Sequence, residues 1–363
     1  MRIAYCVTGG HYAIRNTQYE IPLLQPRQRP IITGMSENKI PTLHDVLAAR
    51  PHVYRYLRPT PLINYPTLSQ LVGAETWIKH ENHQPVGAFK VRGGLVLAAH
   101  LTEQERQAGL FTASTGNHGQ SIAFAARAHG IRATIAVPEG ANPGKVAAMR
   151  GLGADVVFHG PDFDTAREWI MGVAAERHGR FVGPTEESLI HGVGTYALEI
   201  LEELPDVDVI IVPVGAGSGA CATSIVAKSI NPRIQVIGVQ SEAAPAMQLS
   251  WASGELVTAE MNTFAEGIAT RVPFANTQRI MRRYLDDFVL VSEEAIKEAI
   301  RLHLTHSHNL AEGAGAASLA AALQLRERLA GKKVALILSG GNLAVEKLAM
   351  ILGKGNRKRK QDA

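Results

Sequence analysis

The sequence predicts an α/β protein with a mostly parallel sheet covered by helices on both faces, and its length allows two such sheets. Apolar runs rich in β-branched residues alternate with alanine-rich segments of helical period. The strand-like runs are mostly apolar, which is typical of strands buried on both faces. The chain has 363 residues, of which 46% are hydrophobic and 19% are charged, so it contains enough apolar material for two modest domains.

The strand and helix pattern becomes regular from about Ile40 onward. We expect strands over Phe111–Ala113, Ala133–Val137, Ala154–Phe158, Val207–Val214, Gln235–Val239 and Val334–Leu338. We expect helices over Gln120–His129, Lys145–Leu152, Ala220–Ile230 and Ala344–Leu352. Functional sites in such folds lie where loops leave the carboxyl ends of the strands.

Composition and charge exclude several classes of function. No apolar run reaches the roughly 18–20 uncharged residues of a membrane-spanning helix. The cysteines Cys6 and Cys221 cannot form a disulfide framework and indicate a reducing compartment, so we expect a cytoplasmic protein. The net charge of +4 comes from the two ends of the chain, which leave residues 35–353 mildly acidic. We therefore expect neither a nucleic acid nor a membrane as partner.

The two ends of the chain differ from its body. Residues 1–34 lack sustained periodicity, contain three prolines and lack the apolar stretch of a secretory signal. We interpret them as an N-terminal extension that precedes an alternative start at Met35, with a targeting peptide as the alternative. Residues 354–363 carry five basic side chains and are predicted to form a solvated tail.

Three loops that follow predicted strands carry unusual chemistry: Ser114-Thr-Gly-Asn-His118, Gly215-Ala-Gly-Ser-Gly219 and Ser339-Gly-Gly-Asn342. The glycine-rich loop precedes a helix, so its backbone N–H groups and the helix N-terminus can bind an anion such as phosphate. Residues 215–220 also satisfy the dinucleotide template G-x-G-x-x-[G/A]. Nicotinamide or flavin binding and a merely structural turn therefore remain alternatives to a phosphate site of another kind.

The segment Glu81-Asn-His-Gln-Pro-Val-Gly-Ala-Phe-Lys-Val-Arg-Gly93 places Lys90 after a glycine-containing turn. Together with the three loops, this segment resembles the fold-type II pyridoxal 5′-phosphate (PLP) enzymes, most closely the serine/threonine dehydratase (threonine ammonia-lyase) and serine racemase group. The resemblance runs from about Ile40 to Gly353 and also includes Thr60-Pro-Leu62 and Thr263-Phe-Ala-Glu-Gly-Ile268, in family order.

The resemblance implies a role for each cofactor-binding residue. Lys90 holds PLP as a Schiff base and later removes the Cα proton of the substrate, and Phe89 beside it belongs to the same site. A lysine suits both tasks because desolvation lets it lose its charge near neutral pH. The phosphate is held through main-chain N–H groups of Gly215, Ala216, Gly217, Ser218 and Gly219. The family often has four glycines there, but Ala216 and Ser218 remove no backbone donor.

The remaining loops supply the contacts to the ring and to the substrate. Asn117 is implied to bond the ring hydroxyl, while Ser114, Gly116 and His118 line the pocket for the substrate carboxylate. Ser339 is implied to face the pyridine nitrogen. A hydroxyl can donate to a neutral ring nitrogen, whereas a carboxylate would keep it protonated. A neutral ring is the poorer electron sink, which favours β-elimination over transamination.

Thr115 departs from the family pattern and is a candidate for both catalysis and substrate binding. The racemases in this group carry serine here as the acid/base on the opposite face of the cofactor, and many dehydratases carry alanine. Threonine retains the hydroxyl and adds a methyl group. We expect packing or substrate contact, with reprotonation from the second face as the alternative.

No metal site is predicted. In the segment where racemases carry carboxylates, this chain has Gln240 and Ala246, although Glu242 remains. His303, His306 and His308 resemble a metal cluster by count alone, because only the first two share a helix face. Glu312 lies in a stretch that matches the family, and we expect it to approach the cofactor.

The resulting prediction is a fold-type II, tryptophan synthase β-like enzyme with two three-layer α/β domains and the cofactor in the cleft. Residues 40–107 and 181–353 would form the large PLP-binding domain, and residues 108–180 the small domain that closes on the substrate. We expect β-elimination from L-threonine or L-serine, of the catabolic type without a regulatory domain. A serine racemase, a dehydratase of a related substrate such as 3-hydroxyaspartate, and a nucleotide-binding oxidoreductase are alternatives. A homodimer or homotetramer is expected from the family.

Overall fold

The computed structural model describes residues 40–353. The predicted extension 1–34 and basic tail 354–363 lie outside the described residues. The described strands are β1 Leu62–Asn64, β2 Glu75–His80, β3 Leu110–Ala113, β4 Ala133–Val137, β5 Asp155–Phe158, β6 Arg180–Phe181, β7 Val209–Pro213, β8 Gln235–Ser241, β9 Asp287–Val291 and β10 Lys333–Leu338.

The described α-helices are α1 Leu43–Tyr54, α2 Pro66–Val72, α3 Val91–Ala99, α4 Glu103–Ala108, α5 Asn117–Ala128, α6 Pro143–Gly151, α7 Phe163–Glu176, α8 Glu187–Glu203, α9 Ser218–Ile230, α10 Ala246–Ser253, α11 Ala275–Tyr284, α12 Glu293–Leu302, α13 Gly313–Gln324, α14 Arg326–Leu329 and α15 Val345–Gly353. Two 3₁₀ turns, Glu81–His83 and Glu266–Ile268, and a π-helical turn, His303–Ser307, complete the regular structure of this part of the chain. None of the described helices is both long enough and apolar enough to cross a membrane.

The first sheet has six strands in the order β1-β2-β10-β7-β8-β9. The edge strand β1 is antiparallel to β2, and the other neighbours are parallel. Successive residues of its strands face opposite sides, as the period of two requires. Ile210 and Val212 belong to an apolar cluster with α8 and α9, whereas Val209 and Ile211 belong to a second cluster with α12 and α13. This sheet is therefore the middle of three layers.

The second sheet has four parallel strands in the order β5-β4-β3-β6. Ile135 and Val137 of β4 pack in one cluster with residues of α5 and α6, while Ala136 packs with α7 on the opposite face. The α/β class with two helix-covered sheets is thus confirmed. The second sheet spans residues 110–181, whereas the boundaries of the large and small domains remain a prediction.

All the predicted strands and helices are present, with small differences at their ends. Ala133–Val137 agrees at both ends, and Val334–Leu338 begins one residue earlier, at Lys333. Helix α5 begins at Asn117 instead of Gln120, and α9 begins at Ser218 instead of Ala220. Both helices begin inside the candidate loops, Ser114–His118 and Gly215–Gly219. These loops lack the apolar periodicity from which the helices were predicted, so the predicted starts are late. This extension places the candidate loop residues at helix N-termini.

Candidate active site

The lysine segment and the Ser339–Asn342 loop are joined by a short antiparallel bridge between Ala88 and Gly340. The backbone N–H of Phe89 donates to the carbonyl of Ser339 at 3.1 Å, and that of Gly341 donates to the carbonyl of Gly87 at 2.9 Å. Gly87 has φ +66°, a conformation that favours glycine. The bridge places Lys90 next to the carboxyl end of β10.

Phe89 also contacts the glycine-rich loop. A Cβ built on Gly219 would lie 3.7 Å from Cζ of Phe89 and 3.3 Å from the hydroxyl of Tyr196. Tyr196 donates from that hydroxyl to the carbonyl of Gly219 at 3.2 Å and packs edge-on against Phe89, with ring centroids 6.1 Å apart. The structure therefore brings the lysine segment, the glycine-rich loop and the Ser339 loop together at one edge of the six-stranded sheet.

Lys90 is partly buried and immediately precedes α3, where its backbone carbonyl accepts from Ser121 Oγ at 2.6 Å. Burial lowers the pKa of its amine to about 8, while the nearby carboxyl of Glu312 opposes this shift. A substantial fraction of the amine is therefore neutral near physiological pH. Only a neutral amine can attack a carbonyl carbon or accept a proton.

The loop Gly215–Gly219 follows β7 and ends in the first turn of α9. Gly217, at φ +99°, is the N-cap residue of α9 and provides no side-chain cap. A Cβ on Gly215 would lie 2.2 Å from the carbonyl oxygen of Gly267, so this position requires glycine. The carbonyl of Ala216 accepts from Thr277 Oγ1 at 2.7 Å. The loop thus presents backbone N–H groups and a helix N-terminus, which together suit a phosphate.

The loop Ser114–His118 follows β3 and leads into α5. The hydroxyl oxygen of Ser114 accepts from the backbone N–H groups of Gly116 and Gly119, at 3.2 and 2.9 Å. Thr115 and Gly116 lie partly exposed in this turn. The ring of His118 is buried and its Nε2 lies 3.2 Å from the carbonyl of Val182. Burial and then the charge of Lys90 lower the pKa of His118 to about 4, so its ring is neutral at pH 7.

Asn117 connects this loop to the other side of the site. Its amide nitrogen donates to Oε1 of Glu312 at 2.7 Å, and its amide oxygen accepts from Asn342 at 2.8 Å. Burial raises the pKa of Glu312 to about 7, against the opposing effects of the Asn117 hydrogen bond and of the Lys145 charge. The expectation that Glu312 approaches the site agrees with this contact, whereas the position of Asn342 against Asn117 was not predicted.

Sequence reasoning also missed a buried ionic cluster behind the lysine segment. Arg92 in the first turn of α3 bonds Glu81, at 2.7 and 2.8 Å, and Glu199 on α8, at 2.6 and 2.9 Å. Lys79, on β2, also forms an ion pair with Glu199 at 2.6 Å. Burial raises the pKa of Glu199, but Arg92 and Lys79 outweigh that effect and lower it. Charged residues inside the Glu81–Gly93 segment were the available signal.

A second missed contact joins α6, which packs against the four-stranded sheet, to α15 and the Glu266–Ile268 turn. Lys145 on α6 and Lys347 on α15 both bond the carboxylate of Glu266. Burial raises the pKa of Glu266, and the two lysines outweigh that effect and lower it. Glu266 lies in the quoted stretch Thr263–Ile268, but nothing in the sequence identified its partners, which are 121 and 81 residues away.

The positions considered for a metal have other partners. Gln240 is buried, donates to the carbonyl of Ile268 at 3.3 Å and accepts from the backbone N–H of Gln248 at 3.2 Å. His303 lies in the π-helical turn, bonds Ser307 Oγ at 3.2 Å, and has a pKa lowered to about 3 by burial. Within residues 40–353, no group of three or more His, Cys, Asp or Glu side chains is placed to hold a metal ion.

Comparisons with known proteins agree with this geometry. A family model described as "Pyridoxal-phosphate dependent enzyme" matches residues 53–340. An L-threonine ammonia-lyase of Thermotoga maritima is 41% identical over 316 residues, which cover 86% of this chain and 79% of that protein. A catabolic L-threonine dehydratase of Staphylococcus aureus is 35% identical over 322 residues, which cover 87% and 93%.

Solved structures show the same likeness. The processed form of threonine deaminase isoform 2 from Solanum lycopersicum superposes with a TM-score of 0.83 at 31% identity, covering 86% of this chain and 92% of that one. Maize serine racemase superposes with a TM-score of 0.82 at 28% identity, covering 89% and 100%.

Proposed function

This chain belongs to the family of pyridoxal-phosphate dependent enzymes, and we propose that it converts L-threonine to 2-oxobutanoate and ammonia, and L-serine to pyruvate and ammonia. The observation that carries the proposal is the position of Lys90. A lysine of lowered pKa lies between a phosphate-type glycine loop and a serine at the carboxyl end of β10. The relatives named as threonine ammonia-lyase and threonine dehydratase support the choice of reaction.

The residues at the site fit PLP. Gly215 and Gly217 hold their loop in a form that a side chain at Gly215 would disrupt, and the backbone N–H groups of this loop suit a phosphate. Asn117 offers an amide N–H for the ring hydroxyl, and Ser339 offers a hydroxyl for the ring nitrogen. Bound PLP supplies an electron sink for the negative charge that develops at Cα of the amino acid.

Lys90 performs two tasks in this proposal. Its neutral amine would hold the cofactor through a covalent bond, and the same amine would be the base that accepts the Cα proton of the amino acid. The partial burial that lowers its pKa to about 8 keeps it competent for both tasks near neutral pH. The carboxyl of Glu312 limits the shift and prevents the amine from becoming too weak a base.

Ser339 directs the outcome toward elimination. It is buried beside Gly340, and its hydroxyl can donate to a neutral ring nitrogen without protonating it. With a neutral ring the Cα charge would be delocalised less, which would favour loss of the β-hydroxyl over transamination, and the Cα proton and the hydroxide together would leave as one water. Hydrolysis of the enamine product releases the 2-oxo acid and ammonia.

The Ser114–His118 loop is the proposed site for the substrate carboxylate. The oxygen of Ser114 is already engaged as an acceptor, so its hydroxyl hydrogen remains available to donate to a carboxylate. The backbone N–H groups of Thr115, Asn117 and His118 are proposed to face the same place, whereas those of Gly116 and Gly119 donate to Ser114 Oγ. Because the ring of His118 bonds the Val182 carbonyl, His118 contributes to this pocket through its backbone.

The test is the formation of 2-oxo acid by the PLP-loaded protein offered L-threonine, L-serine and threo-3-hydroxyaspartate in parallel. We expect turnover of threonine and serine. Turnover of 3-hydroxyaspartate alone would replace the proposed substrate class with a dicarboxylic one. The absence of 2-oxo acid formation from all three substrates would contradict the proposed reaction.

A serine racemase is the second candidate, supported by the likeness to maize serine racemase and by the hydroxyl of Thr115. Racemisation requires a proton donor on the face opposite Lys90, and Thr115→Val removes that hydroxyl while retaining the shape. We expect the variant to retain 2-oxo acid formation. D-serine production by the wild type that disappears in Thr115→Val would favour the racemase.

We also propose a homodimer or homotetramer in the cytoplasm, with the smaller domain, residues 108–180, closing on the substrate. The buried free thiol of Cys221 is compatible with a reducing compartment. Light scattering coupled to size exclusion tests the oligomeric state. A monomer at micromolar concentration would contradict it.

A further inference from the structure

A series of side-chain hydrogen bonds connects Asn342, Asn117 and Glu312. Which atom donates at each step is determined by the contact that Asn342 makes with the backbone. The amide nitrogen of Asn342 lies 2.8 Å from the backbone carbonyl of Val86 and 2.8 Å from Oδ1 of Asn117. A backbone carbonyl can only accept a hydrogen bond. The Asn342 atom that faces Val86 must therefore be the NH₂ group, and that group also donates to Asn117.

The donor group of Asn342 in turn determines the orientation of the Asn117 amide. Since the atom facing Asn342 must accept, it is the amide oxygen, and the opposite atom of Asn117 is its NH₂ group. That group donates to Oε1 of Glu312 at 2.7 Å. Rotating the Asn117 amide by 180° would place two NH₂ groups face to face at Asn342 and an oxygen against the Glu312 carboxyl. Asn342, which does not titrate, therefore opposes the flipped state at any pH, and Glu312 opposes it when its carboxyl is ionised.

Two glycines provide the space for this chain of side chains. A Cβ on Gly87 would lie 2.7 Å from Oδ1 of Asn342, and a Cβ on Gly340 would lie 2.5 Å from Oε1 of Glu312. Gly340 forms with Ala88 the bridge that positions Lys90, and Gly87 immediately precedes Ala88. The amide chain is thus built into the same backbone arrangement as the lysine.

We infer that Glu312 and Asn342 are positioning residues that orient the Asn117 amide so that its second N–H, unengaged among the described residues, points to the ring oxygen of PLP. The inference rests on the proposed function, in which Asn117 bonds that oxygen. An amide in the flipped orientation would present its oxygen to the ring oxygen and repel it. Correct orientation of Asn117 therefore contributes to PLP affinity, separately from turnover.

The experiment measures the Kd of the apoprotein for PLP by absorbance and fluorescence titration, together with the near-visible absorption maximum of lysine-bound PLP. Asn342→Asp replaces the donor by an acceptor of the same shape and should turn the Asn117 amide around. Glu312→Leu removes the acceptor, whereas Glu312→Gln retains one. Losing a hydrogen bond to a charged group weakens binding by about tenfold to a hundredfold.

We expect Asn342→Asp and Glu312→Leu to weaken PLP binding by about that factor and to shift the absorption maximum, and we expect Glu312→Gln to remain within about threefold of the wild type. The matched control is Asn64→Asp. Asn64 also donates to a backbone carbonyl, that of Thr76 at 3.0 Å, but it lies at the far end of β1 from Thr60. The control should lose stability and retain PLP affinity and the absorption maximum.

Wild-type affinity in both Asn342→Asp and Glu312→Leu would overturn the inference, as would a loss in Asn64→Asp equal to theirs. If Asn342→Asp does not fold, the test is the comparison of the Kd for PLP between Glu312→Leu and Glu312→Gln. Equal losses of PLP affinity in these two variants would overturn the inference. A wild type that binds PLP but releases no 2-oxo acid would contradict the proposed reaction alone. The affinity comparison would then still support or overturn the orientation of Asn117.

Discussion

The guanidinium of Arg92 lies 2.6 Å from the carboxylate of Glu199, a residue 107 positions later in the chain. Both side chains are almost fully buried, and the same guanidinium also bonds both oxygens of Glu81. Arg92 is two residues beyond Lys90, so the cluster ties the start of α3 to the end of β2 and to α8. The position of the lysine thus depends on charges that never contact the cofactor site.

Replacing Arg92 by methionine should destabilise the protein severely. Arg92→Met leaves the carboxylates of Glu81 and Glu199 buried, with Lys79 as the remaining ion-pair partner of Glu199 among residues 40–353. Breaking a buried ion pair by removing one partner costs about 3–5 kcal/mol. Chemical denaturation of the apoprotein, monitored by circular dichroism, measures the loss.

The matched control is Arg50→Met. Arg50 pairs with Glu202 at 2.6 Å on the surface, where both side chains are more than one-third exposed. Exposed pairs contribute about 0–1 kcal/mol. Equal losses in the two variants would contradict the account of the buried cluster.

Gly215→Ala should weaken PLP binding. The added Cβ would lie 2.2 Å from the carbonyl oxygen of Gly267, and because that atom belongs to the backbone, the loop or the Glu266–Ile268 turn must move. The N–H groups that suit the phosphate then lose their arrangement. We expect at least about a tenfold increase in the Kd for PLP, the equivalent of one or two lost hydrogen bonds.

Gly172→Ala is the control for the same chemical change. Gly172 lies on the exposed side of α7, and a Cβ there would meet no described residue within 4 Å apart from its chain neighbours and the backbone of its own helix. Alanine in a helix is more stable than glycine by roughly 0.5–1 kcal/mol. We expect unchanged PLP affinity and a small gain in stability, and equal losses of affinity in the two variants would refute the steric explanation.

Glu312 should make the stability of the apoprotein depend on pH. Its carboxyl has a pKa of about 7 in the folded state and 4.5 in its ordinary state. Below pH 4.5 both states hold the proton. As the pH rises from 4.5 to 7, the unfolded state releases it first, so the contribution of the protonated Glu312 to stability is lost across this window and is constant above it.

Comparison with Glu312→Gln isolates this effect, since glutamine retains an acceptor for Asn117 and does not titrate. From pH 4.5 to pH 8, the free energy of unfolding of the wild type should fall relative to that of the variant by up to about 3 kcal/mol. Denaturation curves at the two pH values provide the measurement. A difference between the two proteins that does not change with pH would show that the carboxyl titrates alike in the folded and unfolded states.

The strands and helices that could be predicted are those whose residue pattern is contained in one short stretch of the sequence. Val334–Leu338 is a continuous apolar run, Ala133–Val137 is interrupted by Thr134 alone, and short runs of this composition favour a strand covered by helices on both faces. The starts of α5 and α9 were placed two or three residues late. Their first turns consist of polar and small residues that serve the site, and the apolar period begins only after them.

The unpredicted parts of the site are contacts between distant side chains. Asn342 reaches Asn117 across 225 residues, and Arg92 reaches Glu199 across 107. A short motif specifies which side chains a loop presents, but the partner that a buried charge or amide requires is chosen by packing in the folded chain. The ion pair between Lys145 on α6 and Glu266 is an example, because no sequence motif connects these two residues.

The most direct test of the proposed reaction is the release of 2-oxobutanoate from L-threonine by the PLP-loaded wild type, by Lys90→Ala and by Lys332→Ala. Lys332 precedes β10 at the end of the sheet opposite Ser339, so it controls for the loss of a lysine. We predict turnover by the wild type and by Lys332→Ala, and a loss of at least about a thousandfold in Lys90→Ala, which lacks both the covalent attachment and the base. Undiminished 2-oxobutanoate release by Lys90→Ala, or none by the wild type, would contradict the account.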